Sequence, residues 1–359
     1  MLLWPEQGLN SGLRNPVRSQ FTPFCGKIRA MNTTNWNVYG HDWAIDHLHK
    51  SIAHDRMRQA YLIVGAESVG KETLARALAM TLNCTNPDHQ PCGECSSCKR
   101  IVSGNHPDIV YSERESETSP LKIEEIRSVM QRLALKPFEA KYRIAIFRDF
   151  DTAQPRAQDA LLKTLEEPAP HAILILLARS MEDVLPTITS RSQVIHLRPA
   201  PVHLIDEVLR VHFGVGAEQA ALLARVSGGR IGWAIRALQN PDLLEQRDAA
   251  LTLLEEILGM NRAQRFDRAS DLSKDKAALV SLLELWQTYW RDALLLATHS
   301  GLDPTNIDRA AALEALSDRY PAETMLAALN ATRNTLNVLT SNANVRLALE
   351  VMFLDYPAA

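Results

Sequence analysis

Short, uninterrupted apolar runs alternate along the first half of the chain with stretches in which apolar residues recur every three or four positions. A short continuous run is typical of a strand buried on both faces, and the wider spacing is typical of a helix. The runs that predict strands are residues 61–64, 109–111, 142–147 and 173–178. The predicted helices are residues 71–82, residues 157–165 and a segment in which Ile123, Ile126, Met130 and Leu133 share one face. Strands that alternate with helices predict an α/β domain with a parallel sheet flanked by helices.

The apolar pattern changes after Pro199, where the strand-like runs end. Residues 202–213, 217–226 and 232–239 predict three short helices, and Leu and Ala recur at helical spacing from about residue 243 to residue 354. Both regions are therefore predicted to be all-α. Residues 1–35 show no periodicity and predict a flexible extension, with Met31 as an alternative start. The predicted domains are 36–198, 199–242 and 243–359.

The composition is that of a globular protein and argues against two classes of function. A chain of 359 residues is too long for one core, which agrees with several domains. Its net charge of −3 argues against a protein that coats nucleic acid by itself, because such proteins carry a strong basic surplus. No apolar stretch is long enough to span a bilayer, and the N-terminal apolar run is too short for a signal peptide. We expect a cytoplasmic protein without a membrane partner.

The segment GAESVGKET, residues 65–73, follows the first predicted strand and begins the first predicted helix. Gly65, Gly70 and Lys71 have the G-x-x-x-x-G-K spacing of a phosphate-binding loop. The glycines permit a turn that directs backbone N–H groups toward phosphate oxygens, and the lysine would reach the β- and γ-phosphates. The sequence therefore predicts a loop with the shape of a nucleotide site.

The same segment lacks the residues that hold magnesium for hydrolysis. The hydroxyl expected after the loop lysine is replaced by Glu72, and Thr73 stands one residue late, about 100° round the helix. Arg148, followed by Asp149, stands where a metal-binding carboxylate is expected after the neighbouring strand. A cation at that place repels a divalent ion, so we predict no hydrolysis at this site. The residues alone leave three possibilities open. The loop binds ATP or ADP without hydrolysing it, the loop serves only as an element of the fold, or the chain is an active ATPase.

Four of the five cysteines lie within fifteen residues of one another. Cys84, Cys92, Cys95 and Cys98 have the spacing C-x7-C-x2-C-x2-C. In a reducing compartment such a group is typical of a metal site, and four thiolates complete the tetrahedral shell of a structural zinc ion. His89, in the first gap, is an alternative ligand. With no open coordination position, we expect this zinc to be structural and not catalytic.

Together these features resemble the delta-prime subunits of the bacterial DNA polymerase III clamp loader, which belong to the AAA+ superfamily. The matching segments, besides the cysteine module, are WNVYGHDWAIDHL (36–48), QAYLIVGAESVGKETLARALAMTLNC (59–84), AQDALLKTLEEP (157–168), VLPTITSRSQ (184–193) and NVRLALEVMFLD (344–355). The resemblance implies an AAA+ core with a zinc-binding insert, a helical lid and a helical collar that joins a five-subunit ring. Such rings use ATP to open the sliding clamp and place it on primed DNA.

The gamma/tau subunits of the same ring share the cysteine module and LLKTLEEP, so the site residues decide between the two kinds of subunit. An ATPase member keeps Ser or Thr after the loop lysine and an Asp-Glu pair after the strand. Glu72, Arg148 and Asp149 favour the non-hydrolysing kind, which is no enzyme by itself but is part of a holoenzyme with DNA-directed DNA polymerase activity. The implied partners are the gamma/tau and delta subunits, the sliding clamp and, through the assembled complex, primed DNA.

The resemblance also assigns an arginine that acts on another subunit. TSRS, residues 189–192, is similar to the family's Ser-Arg-Cys motif, whose arginine reaches the γ-phosphate held by a neighbour. This implies that Arg191 is an arginine finger in trans; the alternative is a surface arginine at a helix C-terminus. A second arginine expected in the lid is replaced by Gly232, with Arg230 offset by two positions.

Two other functions are weighed against this one. The first is an active gamma/tau-like clamp-loader ATPase, which predicts steady ATP turnover by the isolated chain that depends on Lys71. The second is a stand-alone zinc-dependent nucleic-acid-binding protein. It predicts that the purified chain binds DNA with a steep salt dependence and that a change at Cys95 abolishes this binding.

Overall fold

The computed structural model describes residues 36–87, 90–116, 119–339 and 343–357. Within them, a parallel sheet covered by helices is followed by a region that is helical throughout. The strands are β1 (Ala60–Val64), β2 (Ile109–Tyr111), β3 (Arg143–Phe147), β4 (Ala172–Ala178) and β5 (Gln193–His196).

The strand order in the sheet is β2-β3-β4-β1-β5, and each neighbouring pair is parallel. Tyr61 at the start of β1 lies opposite Gln193 of β5, and Val64 at its end lies opposite Ala178 of β4. The carboxyl ends of the strands therefore meet at one edge of the sheet and their amino ends at the other. In such sheets the ligand site lies outside the carboxyl ends.

Helices cover both faces of the sheet, and each face has its own apolar core. Side chains of β1 alternate between these cores: Tyr61 and Ile63 belong to one, and Leu62 and Val64 to the other. Burial on both faces explains why the strands are continuous apolar runs. The helices of this part are α1 (Asp42–Ala53), α2 (Lys71–Asn83), α3 (Ser96–Val102), α4 (Ile123–Ala134), α5 (Pro155–Gln158), α6 (Leu162–Glu166) and α7 (Pro186–Thr189), with 3-10 turns at Phe150–Thr152 and Asp159–Leu161.

Two helical groups follow the sheet, each around a separate apolar core. The first consists of α8 (Val202–Phe213), α9 (Ala217–Val226) and α10 (Ile231–Gln239). The second consists of α11 (Asp242–Leu258), α12 (Arg262–Leu272), α13 (Lys276–Ala297), α14 (Ala310–Arg319), α15 (Ala322–Leu339) and α16 (Val345–Leu354), with a 3-10 turn at Ile307–Arg309. In the part of the chain that the structure describes, no helix is both long and apolar enough to cross a bilayer.

The predicted strands are confirmed within one residue, but other predictions need correction. Residues 157–165 are not one helix, because a 3-10 turn at Asp159–Leu161 separates α5 from α6. Four further elements, α1, α3, α7 and β5, were not predicted from the sequence. The sequence pattern does not predict β5, because the run Gln193-Val194-Ile195-His196 contains only two apolar residues. The predicted extension, residues 1–35, lies outside the described residues.

Candidate nucleotide and metal sites

Residues 65–70 connect β1 to α2 at the carboxyl edge of the sheet. A Cβ atom on Gly65 would lie 2.5 Å from the carbonyl oxygen of Leu197, so this position has room only for glycine. Ser68 and Gly70 have φ angles of +61° and +111°, in the left-handed region. Backbone of this kind directs successive N–H groups into one concavity, which is the geometry that binds phosphate oxygens.

Lys71 is the first residue of α2, and its ammonium group lies inside this loop. Its Nζ donates hydrogen bonds to the carbonyl oxygens of Gly65 at 2.6 Å and Ala66 at 2.8 Å. Burial lowers the pKa of Lys71, and the nearby carboxylate of Asp151 opposes that shift. Thr73, the other predicted loop residue, is exposed on α2. The loop therefore holds the lysine ammonium group among its own carbonyl oxygens and offers no hydroxyl at the first position after Lys71.

Glu72 and Arg148, which stand at the two positions where the sequence predicts magnesium ligands in an ATPase, bind each other. Arg148 Nη2 donates to Glu72 Oε1 at 2.7 Å, and Arg76 Nη2 donates to the same oxygen at 2.7 Å. The Arg148 guanidinium also stacks over the Tyr111 ring, 4.5 Å from its centroid. Burial acts to raise the pKa of Glu72, but the two arginines outweigh it and the pKa is lowered. An ion pair thus links the first turn of α2 to the end of β3.

Asp149, which follows Arg148, is directed toward a different partner. It has a left-handed backbone with φ of +45°, and its Oδ2 lies 2.9 Å from Nη2 of Arg114. In an ATPase the corresponding carboxylate orients the attacking water. Here that carboxylate is engaged in an ion pair with a neighbouring loop.

The first turn of α10 lies directly against the loop. The backbone N–H of Gly232 donates to the carbonyl oxygen of Ser68 at 2.8 Å, and a Cβ on Gly232 would lie 2.8 Å from that oxygen. Arg236, one turn later, donates from Nη2 to Ser68 Oγ at 2.5 Å. Arg230 instead donates to the carbonyl oxygen of Ser227. The sequence pattern pointed to Gly232 and Arg230 and not to Arg236, although positions four apart share a helix face.

The four cysteines lie together where α2 ends and α3 begins. Cys84 follows α2, Cys95 is the N-cap of α3, and Cys98 is in its first turn. The ligand atoms of Cys84, Cys92, Cys95 and Cys98 all lie within 4.8 Å of one another, and Cys84 Sγ lies 4.0 Å from Cys95 Sγ. Tetrahedral coordination at Zn–S distances of about 2.3 Å requires sulfurs roughly 3.8 Å apart. The group therefore fits one metal ion. His89 lies outside the described residues.

Backbone N–H groups also point at these sulfurs. Cys95 N donates to Cys92 Sγ at 3.3 Å, and Cys98 N donates to Cys95 Sγ at 3.4 Å. Burial acts to raise the pKa of the Cys95 thiol, but hydrogen bonds from Cys98 N and Thr85 lower it to about 6. Such N–H···S bonds are typical of the turns that hold thiolate ligands.

Arg191 lies at the opposite edge of the sheet from the loop. It precedes β5, whose Gln193 pairs with the start of β1, whereas Lys71 follows the end of β1. Arg191 Nη1 donates to the carbonyl oxygen of Thr187 at 3.0 Å, and Nη2 donates to Glu166 Oε1 at 2.9 Å. Its side chain is 39% exposed and lines a cavity of about 280 Å³. Arg191 is therefore remote from this chain's own phosphate loop and accessible from outside.

Comparisons with known proteins identify related subunits of one assembly. A family model described as DNA polymerase III, delta subunit, matches residues 40–201. The delta' subunit of DNA polymerase III from Bacillus subtilis is 29% identical over 251 residues, covering 69% of this chain and 75% of that protein. The delta' subunit from Pseudomonas aeruginosa is 28% identical over 232 residues, covering 64% and 66% of the two chains.

A tau subunit and a solved structure are also similar to this chain. The tau subunit of Bacillus subtilis is 26% identical over 317 residues, which is 80% of this chain and 55% of that protein. A gamma-subunit-related protein from Thermotoga maritima has a TM-score of 0.43 at 16% identity, covering 86% of this chain and 97% of the other.

Proposed function

We propose that this chain, which is a delta-prime-like clamp-loader subunit, does not hydrolyse ATP itself but supplies Arg191 to the nucleotide of a neighbouring subunit. In this proposal the chain is a fixed member of a five-subunit AAA+ ring that loads the sliding clamp onto primed DNA. Its partners are the gamma/tau and delta subunits. Residues 36–198 are the AAA+ core, 199–242 the lid and 243–359 the collar.

The ion pair between Glu72 and Arg148 is the observation that carries this proposal. Magnesium in such sites is held by a hydroxyl after the loop lysine and by a carboxylate after the adjacent strand. Here a guanidinium and a carboxylate bind each other at 2.7 Å in those two places. A divalent ion would have to displace Arg148 and would then meet its positive charge. ATP or ADP bound to Lys71 and the loop would therefore stay unhydrolysed.

The position of Arg191 supports its role in trans. An arginine that serves the neighbour's nucleotide has to lie on the side of the subunit away from its own loop. Arg191 lies at the amino edge of the sheet, while Gly65 and Lys71 lie at the carboxyl edge. A subunit with a nucleotide loop on one side and an arginine on the other fits head-to-tail contacts around a ring.

The cysteine group is assigned to a structural zinc ion within the AAA+ core. Cys84, Cys92, Cys95 and Cys98 supply four sulfurs, which complete a tetrahedral shell and leave no position for a substrate. Zinc would tie the end of α2 to the start of α3 and would take no part in ATP chemistry.

Reconstitution with the gamma/tau and delta subunits, the clamp and primed DNA tests the proposal. The isolated chain should show no ATP turnover. In the complex, Arg191→Ala should lower clamp-stimulated hydrolysis at the site it serves by at least about tenfold, because an arginine finger stabilises the charge of the transferred phosphoryl group. Arg262→Ala, at an exposed arginine that begins α12, is the control and should keep the wild-type rate.

Two results would contradict the proposal. An unchanged rate with Arg191→Ala would remove the trans role. ATP turnover by the isolated chain that disappears in Lys71→Ala would instead identify an active gamma/tau-like ATPase, the alternative that the similarity to the tau subunit favours.

A further inference from the structure

Glu166 is the residue that holds the guanidinium of Arg191 in the described structure. It ends α6, and its Oε1 accepts a hydrogen bond of 2.9 Å from Arg191 Nη2. On the other terminal nitrogen, Nη1 donates to the Thr187 carbonyl oxygen at 3.0 Å. The sequence assigns no role to Glu166 itself, although this residue lies within the segment LLKTLEEP that carries the family resemblance. Its neighbour Glu167 is exposed and forms no ion pair among the described residues.

These two contacts fix the direction of a side chain that would otherwise sample many conformations. A free arginine has several rotatable bonds, and ordering them costs free energy each time the group binds a ligand. A guanidinium has five N–H donors. Two acceptors held by this chain, one on each terminal nitrogen, leave the other three donors available for phosphate oxygens. Arg191 is therefore pre-organised and still has donors to offer.

The ion pair itself contributes little to stability, because both partners are partly in solvent. The side chains of Arg191 and Glu166 are 39% and 54% exposed. Pairs of this kind are screened by water and salt. The contact therefore matters for the orientation of the Arg191 guanidinium. Its loss should lower the rate of a reaction that uses Arg191 and leave the fold unaffected.

We propose that Glu166 is a positioning residue for Arg191: it orients the guanidinium toward the γ-phosphate bound by the neighbouring subunit. This inference rests on the proposed trans role of Arg191. Glu166 has no contact with the nucleotide in this proposal and acts only through the arginine. The backbone carbonyl of Thr187, in α7, completes the support on the other side of the guanidinium.

The experiment measures kcat and KM for ATP in the reconstituted complex with Glu166→Ala, Glu166→Gln and Glu167→Ala. Glu166→Ala should lower kcat about threefold to tenfold with KM nearly unchanged, because the neighbour still binds its own ATP. Glu166→Gln keeps an acceptor oxygen at the same reach and should recover most of the rate. Glu167→Ala is the matched control and should behave as wild type.

A double variant separates a positioning role from an independent one. Glu166→Ala combined with Arg191→Ala should be no slower than Arg191→Ala alone, since Glu166 acts through that arginine. A wild-type or faster rate with Glu166→Ala, or a further loss in the double variant, would overturn the inference. An Arg191→Ala complex with an unchanged rate would instead overturn the proposed function, so the two failures are distinguishable. Unfolding temperatures of all variants should match wild type.

Discussion

Glu72 and Arg148 are 76 positions apart in the sequence, yet they bind each other beside the phosphate loop, and Arg76 is a second cation on the same carboxylate oxygen. Without Glu72, the guanidinium groups of Arg76 and Arg148 would lose the carboxylate that they share. The same two arginines lower the pKa of Glu72, so the carboxylate stays charged. Under the proposed function, the guanidinium of Arg148 occupies the place that a magnesium ion takes in an ATPase.

Asp108 is a second charged residue whose environment determines its role. Its side chain is fully buried and accepts hydrogen bonds from the backbone N–H groups of Phe138, Glu139 and Ala140 at 2.7, 3.0 and 2.9 Å. Arg143 lies 3.5 Å away. Burial acts to raise the pKa of Asp108, but these donors outweigh it and lower the pKa below its usual 3.8. Asp108 thereby fixes the loop that presents the exposed Phe138.

Asp108→Asn should destabilise the protein by about 2 kcal/mol at pH 7, because the buried N–H groups lose a charged acceptor. Since the folded pKa lies below the unfolded one, the carboxylate's contribution is complete above the unfolded value of 3.8 and is lost as pH falls through the folded value. Urea unfolding at pH 7, 5 and 3 should show the wild-type advantage shrinking at pH 3.

The control for this prediction is Asp318→Asn, which changes an exposed carboxylate on α14. It should leave the free energy of unfolding within error of wild type at each pH. A difference between wild type and Asp108→Asn that stays constant from pH 7 to pH 3 would show that the charge of Asp108 is not the cause.

At the scale of elements, contacts at helix ends hold the phosphate loop and the cysteine group in place. The first turn of α10 meets the loop through Gly232 and Ser68, where a larger residue at 232 would meet a backbone oxygen at 2.8 Å. The cysteine group likewise connects two helices, α2 and α3, across a segment with few apolar side chains between residues 84 and 98. Such a segment has too little apolar surface to stay ordered alone, so it depends on its ligands.

Removal of zinc should therefore unfold this segment without unfolding the sheet. We expect purified protein to contain about one zinc ion per chain and Cys95→Ser to lose it, because three sulfurs no longer complete the shell. Hydrogen exchange in Cys95→Ser should rise across residues 84–103 while β1 and β4 stay protected.

Cys25→Ser is the matched control, since it makes the same chemical change outside the cysteine group. It should keep both zinc content and protection. Full zinc content in Cys95→Ser, or equal loss in Cys25→Ser, would contradict the assignment of the metal to these four residues.

At the scale of the whole molecule, the C-terminal helices leave an apolar stripe uncovered. Leu347, Val351 and Leu354 lie at helical spacing on α16 and are 57%, 54% and 53% exposed. The opposite face of α16, with Leu349, packs into the core of this region. An apolar stripe on an otherwise packed helix is typical of a surface that another protein covers. Under the proposed function, we interpret it as part of the contact between this chain and the neighbouring subunits.

Val351→Asp should prevent co-elution with the gamma/tau subunits while leaving the isolated chain folded, because a charge at a subunit contact is buried only in the complex. Gel filtration of the mixed subunits measures assembly, and the unfolding temperature of the isolated variant measures folding. Leu302→Asp, at an apolar residue that is 64% exposed outside the helices, should assemble normally. Normal assembly of Val351→Asp would show that the stripe is not part of the contact.

The sequence by itself determined the features that depend on neighbours along the chain. Four strands, the phosphate loop with Gly65, Gly70 and Lys71, and the cysteine spacing follow from short apolar runs, turn residues and ligand intervals. The sequence also showed a glutamate at position 72 and an arginine at position 148, where an ATPase is expected to have a hydroxyl and a carboxylate. The break between α5 and α6 could not be predicted in the same way, because Ala157, Leu161 and Leu165 keep a helical spacing across it. Helix α1 was not predicted, although Ala44, Ile45 and Leu48 also have helical spacing.

Only the tertiary structure decided which of these residues touch. Arg148 binds Glu72, Arg236 reaches Ser68, and Glu166 holds Arg191, with separations of 76, 168 and 25 positions along the chain. No periodicity links such positions. The contacts of Arg148 and Glu166 arise because parallel strands bring all carboxyl ends to one edge of the sheet and all amino ends to the other. Arg236 reaches Ser68 because α10 packs against the loop.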